Sequence, residues 1–178
     1  KGIIAMIKGK KPQAFPTVQD AVAKLGQQAT KSPTLAEAEI KKAFDALKAE
    51  GIKGTAVRLV DTGEGYAKVY RDDKGGTAFV IFWTPETGAH AVSGPILQTY
   101  RSLGWYLSDL GYPKSDEKDL AGVPNGRYTE FEKGIIAMIK GKKPQAFPTV
   151  QDAVAKLGQQ ATKSPTLAEA EIKKAFDA

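Results

Sequence analysis

The single histidine of the sequence, His90, is the first residue to consider for chemistry. A hydrolytic triad would need a nucleophile and an orienting acid around it. Ser93 is near in sequence, but no nucleophile-elbow motif surrounds it. We therefore interpret His90 as a residue that caps or braces the turn at 87–89. We predict no catalytic residue and no enzymatic activity in this chain.

Patterns for metal and cofactor binding are weak. The sequence has no cysteine, which excludes disulfides and thiolate metal sites. One histidine with scattered carboxylates does not form a zinc site, and the acidic stretch 116–119 lacks the spacing of an EF-hand. The glycines at 63, 65, 75 and 76 do not form the phosphate-binding pattern that precedes a helix. We therefore predict no metal and no cofactor.

Aromatic residues are the remaining candidates for a binding site. A sugar ring packs its C–H face on an aromatic ring while its hydroxyls form hydrogen bonds at the edge, here with Asp116, Arg127 or Glu130. Most aromatic side chains fill a small β core, but Trp105 and Tyr112 stand beside glycines in loop-like sequence and are the better candidates for exposure. The candidate ligand-binding residues are Trp105, Tyr112, Asp116, Arg127, Tyr128 and Trp83.

The elements that must position these residues include helices and strands. Two helices are predicted within residues 12–51, with Thr17 as the N-cap of the first and Thr34 with Glu37 as the capping box of the second. A β-hairpin follows at 52–76, then a strand at 77–83, a helix from Pro95 and two strands at 127–131 and 135–139. These predict an α+β fold in which a small antiparallel β-hairpin core packs against a helical pair.

Residues 1–46 are identical to residues 133–178, at an offset of 132. This identity predicts one 132-residue unit of a tandem array, natural or engineered, that was cut from a longer chain. The net charge of +6 counts the repeated segment twice; removing one copy, which carries +4, leaves only +2. The net charge therefore gives no reason to expect a nucleic-acid ligand. No run of about 18 apolar residues exists, so no membrane span is predicted.

Three motifs follow one another between residues 79 and 139. The apolar strand at 79–83 leads into TPETGAHAVSG at 84–94; LGYP follows at 110–113 and NGRYTEFEKGII at 125–136. In this order they resemble the LGFP repeat of exported bacterial surface proteins, with Tyr112 in place of the phenylalanine. The turn residues of these motifs are expected to be structural: His90, Gly88, Gly111, Pro113 and Gly134.

The resemblance and the repeat together set the predicted organisation. Residues 1–11 are a strand left over from a preceding unit, 12–51 the helical pair, 52–76 the hairpin, 77–142 the LGFP-like cassette, and 143–178 a truncated second copy of the helical segment. The strand at 135–139 has its hairpin partner just before it, whereas the same strand at 3–7 has none. We expect the first copy to pair elsewhere, for example with a neighbouring molecule.

The resemblance implies a non-catalytic module of an extracellular or cell-surface protein that binds cell-wall or extracellular polysaccharide, or acts in adhesion. Repetition would strengthen weak sites through avidity. The alternative is a structural filament, matrix or surface-layer building block in which neighbouring copies share strands. A winged-helix-like nucleic-acid-binding module is the less favoured alternative, because acidic residues lie among the lysines of its second helix.

Overall fold

The computed structural model describes residues 2–6 and 12–162 of the 178. The chain divides into two compact units, Lys1–His90 and Ala91–Ala178. The division falls inside residues 77–142, which the sequence predicts as one cassette. The lysines at 8, 10 and 11 and the second helix of the repeated copy lie outside the described residues.

The first unit begins with two short strands and two helices. The strands β1 (Ile3–Ala5) and β2 (Gln13–Phe15) pair antiparallel. Helix α1 spans Val18–Thr30, and Thr17 caps it by accepting the backbone N–H of Asp20, as predicted. Helix α2 spans Pro33–Ala49. Its cap is Ser32, which accepts the N–H of Leu35, so the predicted capping box at Thr34 and Glu37 is wrong.

Ser32 displaces Thr34 as the cap because Pro33 already has the backbone geometry of a first helical residue. Its fixed φ suits that position, and its missing N–H is one that the helix would leave unpaired in any case. The helix therefore begins two residues earlier than the capping-box pattern indicates.

A sheet completes the first unit. Its strands are β3 (Thr55–Asp61), β4 (Tyr66–Arg71), β5 (Thr77–Thr84) and β6 (Gly88–Ser93), in that order, and the division between the units lies within β6. The hairpin β3–β4 is confirmed, and β4 pairs antiparallel with β5. Helix α2 packs against β4 and β5, where Phe44, Tyr70 and Phe79 form a ring stack with centroids 4.5 and 4.6 Å apart.

The second unit holds the other helices and a second sheet. After α3 (Gly94–Ser102) and a 3₁₀ turn at Trp105–Leu107 come β7 (Lys118–Asp119), β8 (Gly126–Phe131), β9 (Gly134–Ile139), β10 (Gln145–Phe147) and α4 (Val150–Thr162). The sheet has the order β10-β9-β8-β7 and is antiparallel throughout. A core forms between this sheet, α4 and the turn after β7; its buried members are Leu120, Val123, Ile135, Ala137, Phe147, Ala153, Leu157 and Ala161.

The described residues therefore confirm the α+β class. They form four α-helices, one two-stranded sheet and two four-stranded sheets. Within these residues, no helix is long and apolar enough to cross a membrane. Whether the molecule is one unit of an array stays a prediction.

Candidate functional site

Hydrogen bonds join the LGYP loop, Leu110–Pro113, to helix α3 and to the motif at 125–136. The phenol of Tyr100 on α3 donates to the carbonyl of Gly111 over 2.7 Å. The backbone N–H of Tyr112 donates to the Glu132 carboxylate over 2.8 Å, from the turn between β8 and β9. Gly111 has φ of +72°, and a Cβ there would lie 2.2 Å from the same Glu132 carboxylate. Only glycine meets both demands.

Tyr112 is 3% exposed, so the expectation that its ring is exposed is wrong. Its ring stacks on Tyr106 with centroids 5.3 Å apart. The backbone on both sides is fixed as well, since the carbonyl of Tyr112 accepts the N–H of Glu132 and Pro113 bridges to Phe131. The ring belongs to the packing that fixes the loop.

Trp105 is half-buried and stands at the end of α3 with φ of +60°. Bulky side chains rarely adopt this left-handed backbone. Its ring meets the buried ring of Tyr100 edge-on, with centroids 5.9 Å apart. Two exposed leucines flank it, Leu103 and Leu107, the latter 82% exposed. This apolar tip at 103–107 is not among the sites predicted from the sequence, although the two leucines around a Gly-Trp turn indicate it.

Asp116 has a structural contact. Its carboxylate accepts the backbone N–H of Ala91 over 2.7 Å, which ties the loop after LGYP to the end of β6 within the second unit. The residue is otherwise exposed. One carboxylate oxygen of Asp116 therefore accepts a hydrogen bond that stabilises the fold.

Arg127 on β8 lies between two carboxylates. Its Nε donates to Glu117 over 2.9 Å, and Nη1 contacts Asp119. The hydrogen bond to Glu117, followed by that to Asp119, raises the pKa of the guanidinium above its already high value. The arginine remains about one-third exposed and is held by its partners in one orientation.

Tyr128 is the next residue on β8 and lies among different neighbours. Its half-buried ring packs against the core beneath α4. The ammonium group of Lys118 lies 5.9 Å from the ring centroid, and the phenol donates to Glu130 over 3.3 Å.

The register of the sheet divides these candidates between two faces. Residues directly opposite on paired strands share a face, and side chains alternate along each strand. Tyr128 lies opposite Ala137 and shares its face with the core under α4. Arg127 therefore lies on the other face, together with Phe131, whose ring contacts Tyr100 with centroids 4.5 Å apart. The ring of Trp105 also contacts Tyr100. Trp105 and Arg127 therefore lie on the same side of the sheet, the side that faces away from α4.

Trp83, the remaining ligand-binding candidate, is on β5 in the first unit and is 3% exposed. Its ring lies 6.2 Å from that of Tyr66. A Cβ on Gly65 would lie 1.9 Å from the backbone carbonyl of Trp83, so the hairpin approaches this strand closely. This aromatic ring is part of the packed sheet and is not accessible to a ligand.

Three of the predicted turn residues have distinctive local geometry. The Nε2 of His90 lies 2.8 Å from the carbonyl of Thr87, across the turn that the bracing interpretation assigned to it. Gly88 has φ of +77° and Gly134 of +154°. Among the described residues no group of three or more histidine, cysteine or acidic side chains is arranged to hold a metal ion.

Comparison of the sequence with known protein families gives one match. Residues 58–106 match the LGFP repeat family. No curated protein sequence matches the chain. The matched range begins in β3 and ends within the 3₁₀ turn at Trp105–Leu107, earlier at both ends than the resemblance at 79–139. It covers 49 of the 178 residues.

Proposed function

We propose that this chain is a non-catalytic module of an exported bacterial protein and that it binds cell-wall or extracellular polysaccharide at the cell surface. The observation that carries the proposal is the LGFP repeat match at 58–106. LGFP is a repeat family of exported bacterial proteins and is not known as catalytic. Trp105 at the tip of α3 lies within the matched range, whereas Arg127 lies outside it.

The binding surface is the side that Trp105 shares with Arg127. Trp105 offers a half-exposed ring whose backbone is held in a sparsely populated conformation, a type of strain found at functional sites. Arg127 offers a guanidinium fixed by Glu117 and Asp119. The ring would stack on a sugar face, and the guanidinium with its carboxylates would bind hydroxyls.

Trp105 and Arg127 are connected through two ring contacts. The Trp105 ring contacts Tyr100, and Tyr100 contacts Phe131, which lies four residues along β8 from Arg127. Tyr128 and Lys118, on the opposite face, would bind a second stretch only if the chain wrapped around the sheet edge.

Binding of the whole chain to purified bacterial cell-wall polysaccharide tests the proposal. We expect Trp105→Ala and Arg127→Gln each to weaken binding at least tenfold, because one removes the stacking ring and the other the charged hydrogen-bond donor. Leu107→Ala is the matched control for Trp105, since it removes an exposed apolar side chain from the same tip. Circular dichroism must show that all variants keep the fold. Equal retention of all four proteins, or of none, would contradict the proposal.

A further inference from the structure

Arg127, the charged group of the proposed binding surface, is surrounded by acceptors from its own fold. Its Nε donates to Oε1 of Glu117 over 2.9 Å, and its Nη1 contacts the carboxylate of Asp119. Its Nη2 lies 3.5 Å from the backbone carbonyl of Glu117. All three nitrogens of the guanidinium therefore have an oxygen partner before any ligand arrives.

The pairing of β7 with β8 places Asp119 beside this arginine. Asp119 lies directly opposite Arg127, and Lys118 lies opposite Tyr128. Opposite residues share a face of the sheet, and neighbours along a strand alternate between faces. Lys118 is therefore on the other face, where it pairs with Glu130 over 3.5 Å. It does not neutralise the carboxylates that contact Arg127.

The cluster of Glu117, Asp119 and Arg127 has two carboxylates and one guanidinium, and so a net charge of −1. The side chain of Asp119 is 88% exposed and that of Arg127 is 36% exposed. A ligand therefore meets a carboxylate at least as readily as the guanidinium. A sugar hydroxyl can donate to the one and accept from the other, whereas an ionised phosphate or carboxylate can only accept.

We propose that Glu117 and Asp119 make this surface selective for uncharged polysaccharide and exclude polymers that carry phosphate or uronate groups. The inference rests on the proposed function, and it names the class of polymer that the same surface binds. An anionic group at the guanidinium would lie close to two carboxylates of like charge. At the effective dielectric of a protein surface, such repulsion lowers the affinity at least tenfold.

The net charge of the whole chain acts in the opposite direction. The sequence carries +6, which attracts acidic polymers at low ionic strength. Physiological salt screens exposed charges beyond about 8 Å. The groups in direct contact with the guanidinium therefore decide the selectivity of this surface, and two of them are carboxylates.

Bacterial cell-wall polysaccharide that anion exchange has separated into a neutral and an acidic fraction tests the inference on the full chain. At about 0.15 M salt, we expect the neutral fraction to bind at least tenfold more tightly than the acidic fraction. Equal or tighter binding of the acidic fraction would overturn the inference and leave polysaccharide binding intact. Binding of neither fraction would overturn the proposed function, and the inference with it.

Single substitutions identify the residues that set the selectivity. Asp119→Asn and Glu117→Gln each keep a hydrogen-bonding oxygen and remove one negative charge. We expect each to raise the ratio of acidic-fraction to neutral-fraction affinity at least fivefold. Asp73→Asn is the matched control, because it removes the same charge from an exposed turn of the first unit, and it should leave the ratio unchanged. Circular dichroism must show that the three variants keep the fold. Equal ratios for the control and for both site variants would show that the carboxylates beside Arg127 do not set the selectivity, and the inference would be wrong.

Discussion

At the scale of single residues, the LGYP motif and the motif at 125–136 are explained by contacts that fix one loop. Gly111 provides the positive φ and the space for the Glu132 carboxylate. That carboxylate accepts the N–H of Tyr112, and Tyr100 donates to Gly111. Gly111 and Tyr112 come from LGYP and Glu132 from the motif at 125–136, so these two motifs must occur together for the loop to form.

Replacing Gly111 by alanine tests this dependence. The new Cβ meets the Glu132 carboxylate and forces a left-handed backbone on an L-residue, so we expect a loss of about 2–4 kcal/mol in the free energy of unfolding. Gly141→Ala is the control: Gly141 has φ of +82° but open space around it. It should cost about 1 kcal/mol, the conformational term alone. Urea unfolding of both variants measures the difference, and equal losses would show that the Glu132 contact has no importance.

The same loop shows where sequence reasoning ends at this scale. The positive φ at Gly111 follows from residue type, and the role of His90 beside its turn follows from its neighbours. The burial of Tyr112 does not, because it depends on Glu132, a residue 20 positions away. Trp105 is expected to be partly exposed and is half-buried, but its unusual backbone is invisible in the sequence.

At the scale of elements, apolar periodicity predicts the hairpin β3–β4, strand β5 and the pair α1 and α2. What it leaves open is which surfaces meet. Helix α2 packs on β4 and β5 through the stacked rings of Phe44, Tyr70 and Phe79. Two of these rings come from the sheet and one from the helix, so the contact requires a tertiary arrangement that local patterns do not specify.

The Tyr70 ring stack makes the stability of the first unit sensitive to alkaline pH. Burial, and then the nearby charges of Glu37 and Asp45, raise the pKa of Tyr70 to about 12. The folded state therefore holds this proton more tightly than the unfolded chain, whose tyrosine pKa is about 10. The stabilisation is fully present below pH 10 and is lost as pH rises from 10 towards 12. It amounts to about 3 kcal/mol at most.

Urea unfolding at pH 8 and at steps up to pH 11.5 measures this loss. We expect Tyr70→Phe to lose less stability than the unchanged chain over that interval, because the stacked ring remains but its ionisable group is gone. Comparison at pH 8 controls for any cost of removing the hydroxyl. Parallel curves for the two proteins above pH 10 would rule out Tyr70 as the source of the alkaline dependence.

At the scale of the whole molecule, the repeated segment separates what a sequence encodes from what its surroundings decide. Both copies form a strand pair and a helix, and the helix has the same bounds relative to the repeat: Val18–Thr30 and Val150–Thr162. Local structure is therefore a property of the segment. Burial is not, since β8, α3 and the turn after β7 pack against the second copy, where Ile136 is buried while Ile4 is exposed. The sequence predicts that the first strand lacks its hairpin partner, but the turn that covers the helix emerges only from the fold.

The same substitution made in each copy measures the difference directly. Ile136→Ala removes a fully buried side chain beneath β8 and α3, so we expect a loss of about 2–5 kcal/mol in the free energy of unfolding. Ile4→Ala removes an exposed side chain from an identical sequence, so we expect less than about 0.5 kcal/mol. Strand propensity and unfolded-state effects are matched by the sequence identity, and they cancel in the comparison.

The measurement should be made at low micromolar protein concentration, where contacts between molecules are weakest. Raising the concentration should then increase the cost of Ile4→Ala if neighbouring copies cover β1, while the cost of Ile136→Ala should not change. Equal costs for the two variants at every concentration would contradict the different environments of the two copies.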